Sequence, residues 1–272
     1  MSAPKTGDDG HRGGSVVCLG TGICLGSHIS TLASSYIREA DLVFGAMPDA
    51  MADQWLESMN PNYQSLQRFY GEGKSRRQTY EEMVEAILAP ARAGRKVVGA
   101  FYGHPGVFAW PSHESIRRAQ AEGLEAWMEP GISAEDCLVA DLGLDPGTTG
   151  CLSYEASQFL FYQHPVDPSA LMILWQWGLV GEHTLRTFAT TPDKVQIAVD
   201  YLRQWYPADH LVTLYEAPFL PTGTPRMESR PLSELASATL SMITTLVIPP
   251  ARPLEVNGAM LEKLGLSQDD LT

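Results

Sequence analysis

Apolar strand-like runs alternating with helical periodicity predict an α/β protein of two domains. The first domain is expected to hold a mainly parallel sheet and the second a mixed sheet. Two observations carry this reading. From Ser15 to Leu142 strand and helix patterns follow one another with little else between them. After the turn cluster Asp145-Pro-Gly-Thr-Thr-Gly150 the rhythm changes: only one clear helix separates the later strands, and Pro-rich loops at 217–226 and 249–253 intervene. A chain of 272 residues suits two modest domains, or one large one, with ample core-forming material.

The elements are expected in this order. Ser15–Leu19 reads as a strand and His28–Arg38 as a helix; Asp41–Gly45 is the next strand, with a helix over Pro48–Ser58. Tyr80, Met83, Val84, Ile87, Leu88 and Ala91 recur at the spacing of a helix facing a core, so a helix runs from the 70–80 loop to Ala93. Lys96–Tyr102 is a strong strand. A helix over Val107–Ala121, a strand at Leu124–Glu129 and a helix over Ala134–Leu142 complete the first half. Beyond the turn cluster, strands are expected at Leu171–Gln176, Leu211–Glu216 and Met242–Ile248, with a helix over Pro192–Trp205. The domains are thus expected at 15–148 and 149–250. A polar, disordered tail is expected over 1–14, and 251–272 forms a C-terminal tail with a short helix near Val256–Leu264.

Composition excludes several classes. Nineteen basic residues against 32 acidic ones leave a net charge of −13 and no basic stripe, which argues against a nucleic-acid partner. The N-terminal segment lacks the apolar stretch of a signal peptide, and no apolar run is long enough for a membrane span. Cys18, Cys24, Cys137 and Cys151 form no CxxC pair, and no His/Cys cluster has zinc spacing, so no metal is expected and the thiols read as reduced cytoplasmic ones.

Tyr70-Gly-Glu-Gly-Lys-Ser-Arg76-Arg-Gln-Thr-Tyr80 runs from a glycine-punctuated loop onto the first turn of a helix. Arg76 and Tyr80 share a helix face, and Tyr70 can fold back towards them. Two phenols beside a permanent cation are expected to ionise more easily than usual, which suits removal of a proton from a poor acid. The alternative is structural, since Tyr80 also opens the apolar series of its helix.

Three further segments stand where strands end, the edge at which open α/β sheets bind ligands. Gly20-Thr-Gly22-Ile-Cys-Leu-Gly26 follows a strand, but its spacing departs from the dinucleotide fingerprint and no acid ends the second strand, so NAD is disfavoured. A plain tight turn is the alternative there. Phe101-Tyr-Gly-His104-Pro-Gly-Val-Phe108 sets an unusual backbone path, with His104 as a polar handle or merely a loop histidine. Ser133, in Glu129-Pro-Gly-Ile-Ser133-Ala-Glu-Asp136, reads equally as a ligand contact or as an N-cap with Asp136 at N3.

Taken together, the ordered series resembles the tetrapyrrole methylase fold of S-adenosylmethionine (SAM) enzymes. The Tyr70–Tyr80 stretch, the Phe101–Phe108 loop and Glu155-Ala-Ser-Gln-Phe159 are closer still to the borosin-type peptide backbone α-N-methyltransferases. The resemblance covers about Ser15 to Ile248. It implies a SAM-dependent enzyme that N-methylates backbone amides of a ribosomal peptide, with SAM bound in the cleft between the two domains and S-adenosylhomocysteine as product. It implies catalytic roles for Tyr70, Arg76 and Tyr80, and cofactor contacts from Tyr102, His104, Val107, Phe108, Ser133, Ala134, Gln176, Ala217 and Thr245. Because the chain stops at Thr272 without an apolar core peptide, the expected enzyme is the split form, acting in trans on a separate precursor. A homodimer, or a heterotetramer with two precursors, is implied as well. Methylation of a tetrapyrrole (a porphyrin or corrin) is the alternative.

Overall fold

The computed structural model describes residues 13–71, 74–184, 187 and 189–271. Most of the tail expected over 1–14 lies outside them, but Gly14 is buried: a Cβ there would fall 1.9 Å from the Ala91 carbonyl oxygen. The chain divides into two compact units. One comprises the residues up to Ala140 together with Ala217–Thr224, and the other Asp141–Glu216 with the chain from Pro225 onwards.

The first unit alternates β1 (Ser15–Gly20), α1 (Thr31–Glu39), β2 (Leu42–Ala46), α2 (Ala50–Met59), β3 (Tyr63–Ser65), α3 (Arg76–Arg92), β4 (Lys96–Phe101), α4 (Trp110–Ala121), β5 (Glu125–Glu129) and, as far as Ala140, α5 (Ala134–Leu142). Its five strands are all parallel, in the order β3-β2-β4-β1-β5. Both faces of the sheet are covered, so the central strands carry uninterrupted apolar runs. Val16 and Cys18 of β1 face a core with Met83, Ile87 and Leu88 of α3 and Ala119 of α4. Val17 and Leu19 face the opposite core, with Ala33 and Ile37 of α1 and Ala52 and Leu56 of α2.

Helix starts follow their caps. Ser30 accepts from the Ala33 amide at 3.0 Å, so α1 begins at Thr31 rather than at His28. Ser75 accepts from the Gln78 amide and opens α3 at Arg76. The helix expected from Val107 begins only at Trp110, because Phe108 takes φ +52°, outside the helical region.

The second unit contains α6 (Pro146–Thr149), β6 (Cys151–Glu155), α7 (Ala156–Phe161), β7 (Leu171–Trp175), α8 (Pro192–Leu202), β8 (Leu211–Glu216), β9 (Arg226–Pro231), β10 (Thr245–Ile248) and α9 (Gly258–Leu264). Its sheet is mixed, in the order β6-β7-β10-β8-β9, with only β6 and β7 parallel. Phe159, Val199, Leu202, Leu214 and Ile248 lie in its core. The strand expected from Met242 begins at Thr245, since Ser241–Thr244 forms a turn in which the Ser241 amide donates to Thr244 Oγ1 at 2.8 Å. Neither β6 nor β9 is among the expected strands. The β9 sequence Arg-Met-Glu-Ser-Arg-Pro has little intrinsic strand preference. Its six-residue pairing with β8, and the ion pairs of Arg226 with Glu216 and Glu228, hold it extended instead.

Candidate functional site

Strand order decides where the first unit can bind a ligand. The ends of β1 and β4 are neighbours, and the chain leaves them in opposite senses: towards α1 on one face and α4 on the other. This is the topological switch point of a doubly wound sheet, the crevice such folds use. The loops that follow are joined by a two-way backbone bridge, Gly22 N to Gly103 O at 3.1 Å and Gly103 N to Gly22 O at 3.0 Å. Gly131, after β5, closes on the same point. A Cβ on Gly20 would meet Gly103 O at 2.3 Å, and one on Gly131 would meet it at 2.5 Å. Gly20 and Gly131 must therefore be glycine for the chain segments after β1, β4 and β5 to converge.

Of the expected cofactor residues, Tyr102, His104, Val107 and Phe108 all leave this edge on one loop. Burial, followed by the charges of Cys137, Cys24 and Asp49, pushes the Tyr102 hydroxyl up to about 12, so it stays protonated. His104 Nδ1 accepts from the Gly106 amide at 2.9 Å, which makes the imidazole a fastener of its own loop. Val107 and Phe108 are exposed by 47% and 56%, against the hydrophobic preference of both side chains. Phe108 and Gln176 are the two non-glycine residues with positive φ among the described residues, at +52° and +57°. Such backbone costs about 1–2 kcal/mol per residue and concentrates at functional sites. Both are among the residues singled out by sequence.

Ser133 does serve as a cap. Its amide and hydroxyl donate to Asp136 Oδ2 at 2.6 and 2.8 Å, and its Oγ accepts from the Asp136 amide at 3.3 Å, with Ala134 opening α5. Ala217 belongs to the segment that returns to the first unit. That segment is fastened by the Leu25 amide on the Phe219 carbonyl at 2.8 Å and by the Phe219 ring against Tyr102, 6.1 Å between centroids. Phe219 is a neighbour of the glycine loop that sequence reasoning did not name. In the second unit Gln176 follows β7 in a left-handed conformation, and the buried Thr245 opens β10 opposite Tyr215.

Tyr70, Arg76 and Tyr80 come together as the spacing suggested. Tyr70 precedes α3, Arg76 is its first residue, and the Tyr70 phenol interacts with both Tyr80 and Arg76. The base of this loop is tied to α3: the Phe69 carbonyl accepts from Lys74 Nζ at 2.7 Å and from Thr79 Oγ1 at 3.2 Å, and Lys74 also pairs with Glu82. The expectation that Arg76 makes Tyr70 easier to ionise is overturned. Arg76 does pull its pKa down, but desolvation, then the charge and hydrogen bond of Tyr80, outweigh it and push Tyr70 up to about 12. This happens although Tyr70 keeps 40% of its surface exposed. Tyr80 is half-buried against the core under α3, so its structural reading is also correct. Its ring stacks, offset, against that of Trp110, which sequence reasoning passed over.

Cys18 and Cys24 are free thiols, and no group of His, Cys, Asp or Glu able to hold a metal ion occurs among the described residues. Nor is any described helix long and apolar enough to cross a membrane.

The chain is similar to several known proteins. Residues 15–217 match the Tetrapyrrole (Corrin/Porphyrin) Methylases. A type I borosin cyclic peptide methyltransferase/precursor of Coprinopsis marcescibilis is 38% identical, over 96% of this chain and 70% of that one. The gymnopeptides methyltransferase/precursor of Gymnopus fusipes is 39% identical over 95% of this chain, and the omphalotin A methyltransferase/precursor of Omphalotus olearius 38% over 94%. The chain spans 63% and 62% of the length of these two, a little under two thirds. Among solved structures, the uroporphyrin-III-C-methyltransferase of Thermus thermophilus superposes over 96% of this chain and all of its own, with TM-score 0.63 and 16% identity, a likeness of fold alone.

Proposed function

Because the chain belongs to the tetrapyrrole methylase family, among the borosin methyltransferase/precursor proteins, we propose that it N-methylates backbone amides of a ribosomally made precursor peptide, with SAM as methyl donor. The observation that carries this reading is the meeting of Tyr70 with both Tyr80 and Arg76 at the start of α3.

The residues at the sheet edge fit such a cofactor. The rings of Tyr102 and Phe108 suit an adenine and a sulfonium cation, and the strained φ at Phe108 and Gln176 is the kind of cost that a binding role sustains. Tyr102, His104, Val107, Phe108, Ser133, Ala134 and Ala217 are the proposed contacts from the first unit, and Gln176 and Thr245 those from the second. When bound, SAM supplies an electrophilic methyl group.

The chain's own residues have the harder task. An amide nitrogen is a very weak acid and a poor nucleophile, because its lone pair is delocalised into the carbonyl. Tyr80, as the phenolate, takes the N–H proton as the nitrogen is alkylated, with the Arg76 guanidinium one helical turn away on α3. Tyr70, held protonated by its surroundings, donates to the amide oxygen as charge develops there. The raised Tyr70 value supports this division, since a phenol that keeps its proton is a donor rather than a base.

The precursor is proposed to arrive as a separate polypeptide, although the relatives are named as methyltransferase and precursor in one. A homodimer, or a heterotetramer with two precursors, is proposed as the working assembly. A cytoplasmic setting is proposed too, in keeping with the free thiols of Cys18 and Cys24.

The test supplies purified protein and labelled SAM with either a candidate precursor peptide or a uroporphyrinogen-type tetrapyrrole. Label in the peptide, located by mass spectrometry on backbone nitrogens, is the expected result. Label in the tetrapyrrole, or in neither, overturns the reading. Light scattering of the enzyme with and without the precursor reads the assembly.

A further inference from the structure

Trp110 has no part in the site as the sequence presents it, yet its indole lies on Tyr80, with ring centroids 6.3 Å apart and planes inclined by 24°. At the same time 42% of the residue is open to solvent. Its contact with Tyr80 is thus made from a partly exposed position at the start of α4, not from inside the core.

The start of α4, which carries Trp110, is also held in place. The fully buried Ser112 hydroxyl donates to the Pro105 carbonyl and lies 2.9 Å from the Ala109 carbonyl, closing the loop from β4 onto the first turn of α4. His113 Nε2 lies 2.9 Å from the Gly106 carbonyl oxygen, and the Cys18 thiol donates to the Ser112 carbonyl at 3.6 Å. Arg118 of α4 pairs with Glu81 of α3 at 2.6 Å, next in sequence to Tyr80. The surface from which Trp110 projects is thus fixed to the helix that carries Tyr80.

Proton transfer requires donor and acceptor within about 2.6–3.2 Å, a tolerance that a freely rotating phenol exceeds. The inner edge of the Tyr80 ring is set by the core, and its outer face by Trp110 alone among the described ring contacts. We propose that Trp110 is a positioning residue. It acts through Tyr80, holding the ring so that its hydroxyl stays beside Tyr70 and Arg76. The inference rests on the peptide N-methylation reading for its kinetic consequence, but not for the contact itself.

Two variants test it in the full chain, Trp110→Ala and Trp110→Phe. A stacking contact of this size implies about a tenfold fall in kcat for Trp110→Ala. SAM affinity by calorimetry is expected to stay within about twofold, with most of the rate restored in Trp110→Phe. A kcat unchanged in Trp110→Ala, a matching loss of SAM affinity, or a Phe variant as slow as the Ala variant overturns the proposal. A second readout is independent of turnover. In protein labelled with 3-fluorotyrosine, the Tyr80 fluorine line, assigned by its loss in Tyr80→Phe, should move in Trp110→Ala and return in Trp110→Phe. An unmoved line overturns the positioning role. Absence of peptide methylation by the wild type, with the line shifting as expected, instead overturns the function and leaves the contact standing.

Discussion

Replacing Gly20 by alanine tests how the sheet edge is built. The added Cβ would sit 2.3 Å from the Gly103 carbonyl oxygen and 2.7 Å from the Gly131 Cα. Non-bonded heavy atoms prefer about 3.5–4.0 Å, so the segments after β1, β4 and β5 must part by about 1 Å. Overpacking costs about 1–3 kcal/mol where side chains can give way. Here both obstacles are backbone and no rotamer offers relief, so the loss belongs at the upper end, about 3 kcal/mol. For a chain of this size that lowers Tm by roughly 6–12 °C. The shift also moves Gly103, whose amide and carbonyl bridge Gly22, and with it the loop that carries Tyr102 and His104. SAM affinity should therefore fall in the same variant. Thermal unfolding followed by circular dichroism and calorimetry with SAM measure the two effects. Because Gly20→Ala and Gly131→Ala press on the same carbonyl, the double variant should lose less than the sum. Gly258→Ala is the control: it has open space and ordinary φ, and should be neutral or slightly stabilising. A Gly20→Ala protein within about 0.5 kcal/mol of wild type, with unaltered SAM binding, refutes the reasoning.

Tyr80→Phe and Tyr70→Phe should each lower methyl transfer by roughly 100-fold or more while SAM still binds; near-normal turnover in both would remove the catalytic assignment. Gln176→Gly relieves a left-handed conformation worth about 1–2 kcal/mol, against about 0.5–1 kcal/mol of added chain entropy. Denaturant titration should show equal or higher stability, and calorimetry weaker SAM binding; a destabilised variant contradicts the strain argument. Alkaline pH should unfold the protein earlier than ordinary tyrosine chemistry implies. Cys18, Tyr70, Tyr102 and Tyr206 are all pushed up to about 12, chiefly by burial. Groups that hold protons more tightly when folded contribute stability that is complete below their ordinary values and lost as pH rises through the folded ones, here from about 9 to 12. Cys18, moved from 9.0 to about 12 in a fully buried site, accounts for roughly 4 kcal/mol of that loss. Unfolding midpoints measured across this range should flatten in Cys18→Ala, and an unchanged slope counts against the buried thiol.

Local pattern made much of this legible in the sequence. The apolar stripe of α3 appears where spacing puts it, with Met83, Val84, Ile87, Leu88 and Ala91 buried. The Ser133–Asp136 cap was readable from residue types alone, because both partners lie within one helical turn. Less local features were not. Strand β9 exists through its partner β8, and nothing in Arg-Met-Glu-Ser-Arg-Pro announces it. The direction of the Tyr70 shift escaped as well, since a cation at a known spacing is visible in sequence but desolvation is not.

By itself, then, the sequence determined the alternation of strands and helices, the faces they bury, the glycine-marked ends of β1 and β4, and the company of Tyr70, Arg76 and Tyr80 around one helix start. Periodicity and capping act over a few residues, so they survive in a linear reading. Only the tertiary structure decided the order β3-β2-β4-β1-β5, which makes the ends of β1 and β4 neighbours. It alone returned Ala217–Thr224 to the first unit and laid Trp110 on Tyr80, 30 positions away in sequence. Those contacts come from which surfaces remain to be buried once the helices and strands exist, and that depends on the whole chain at once.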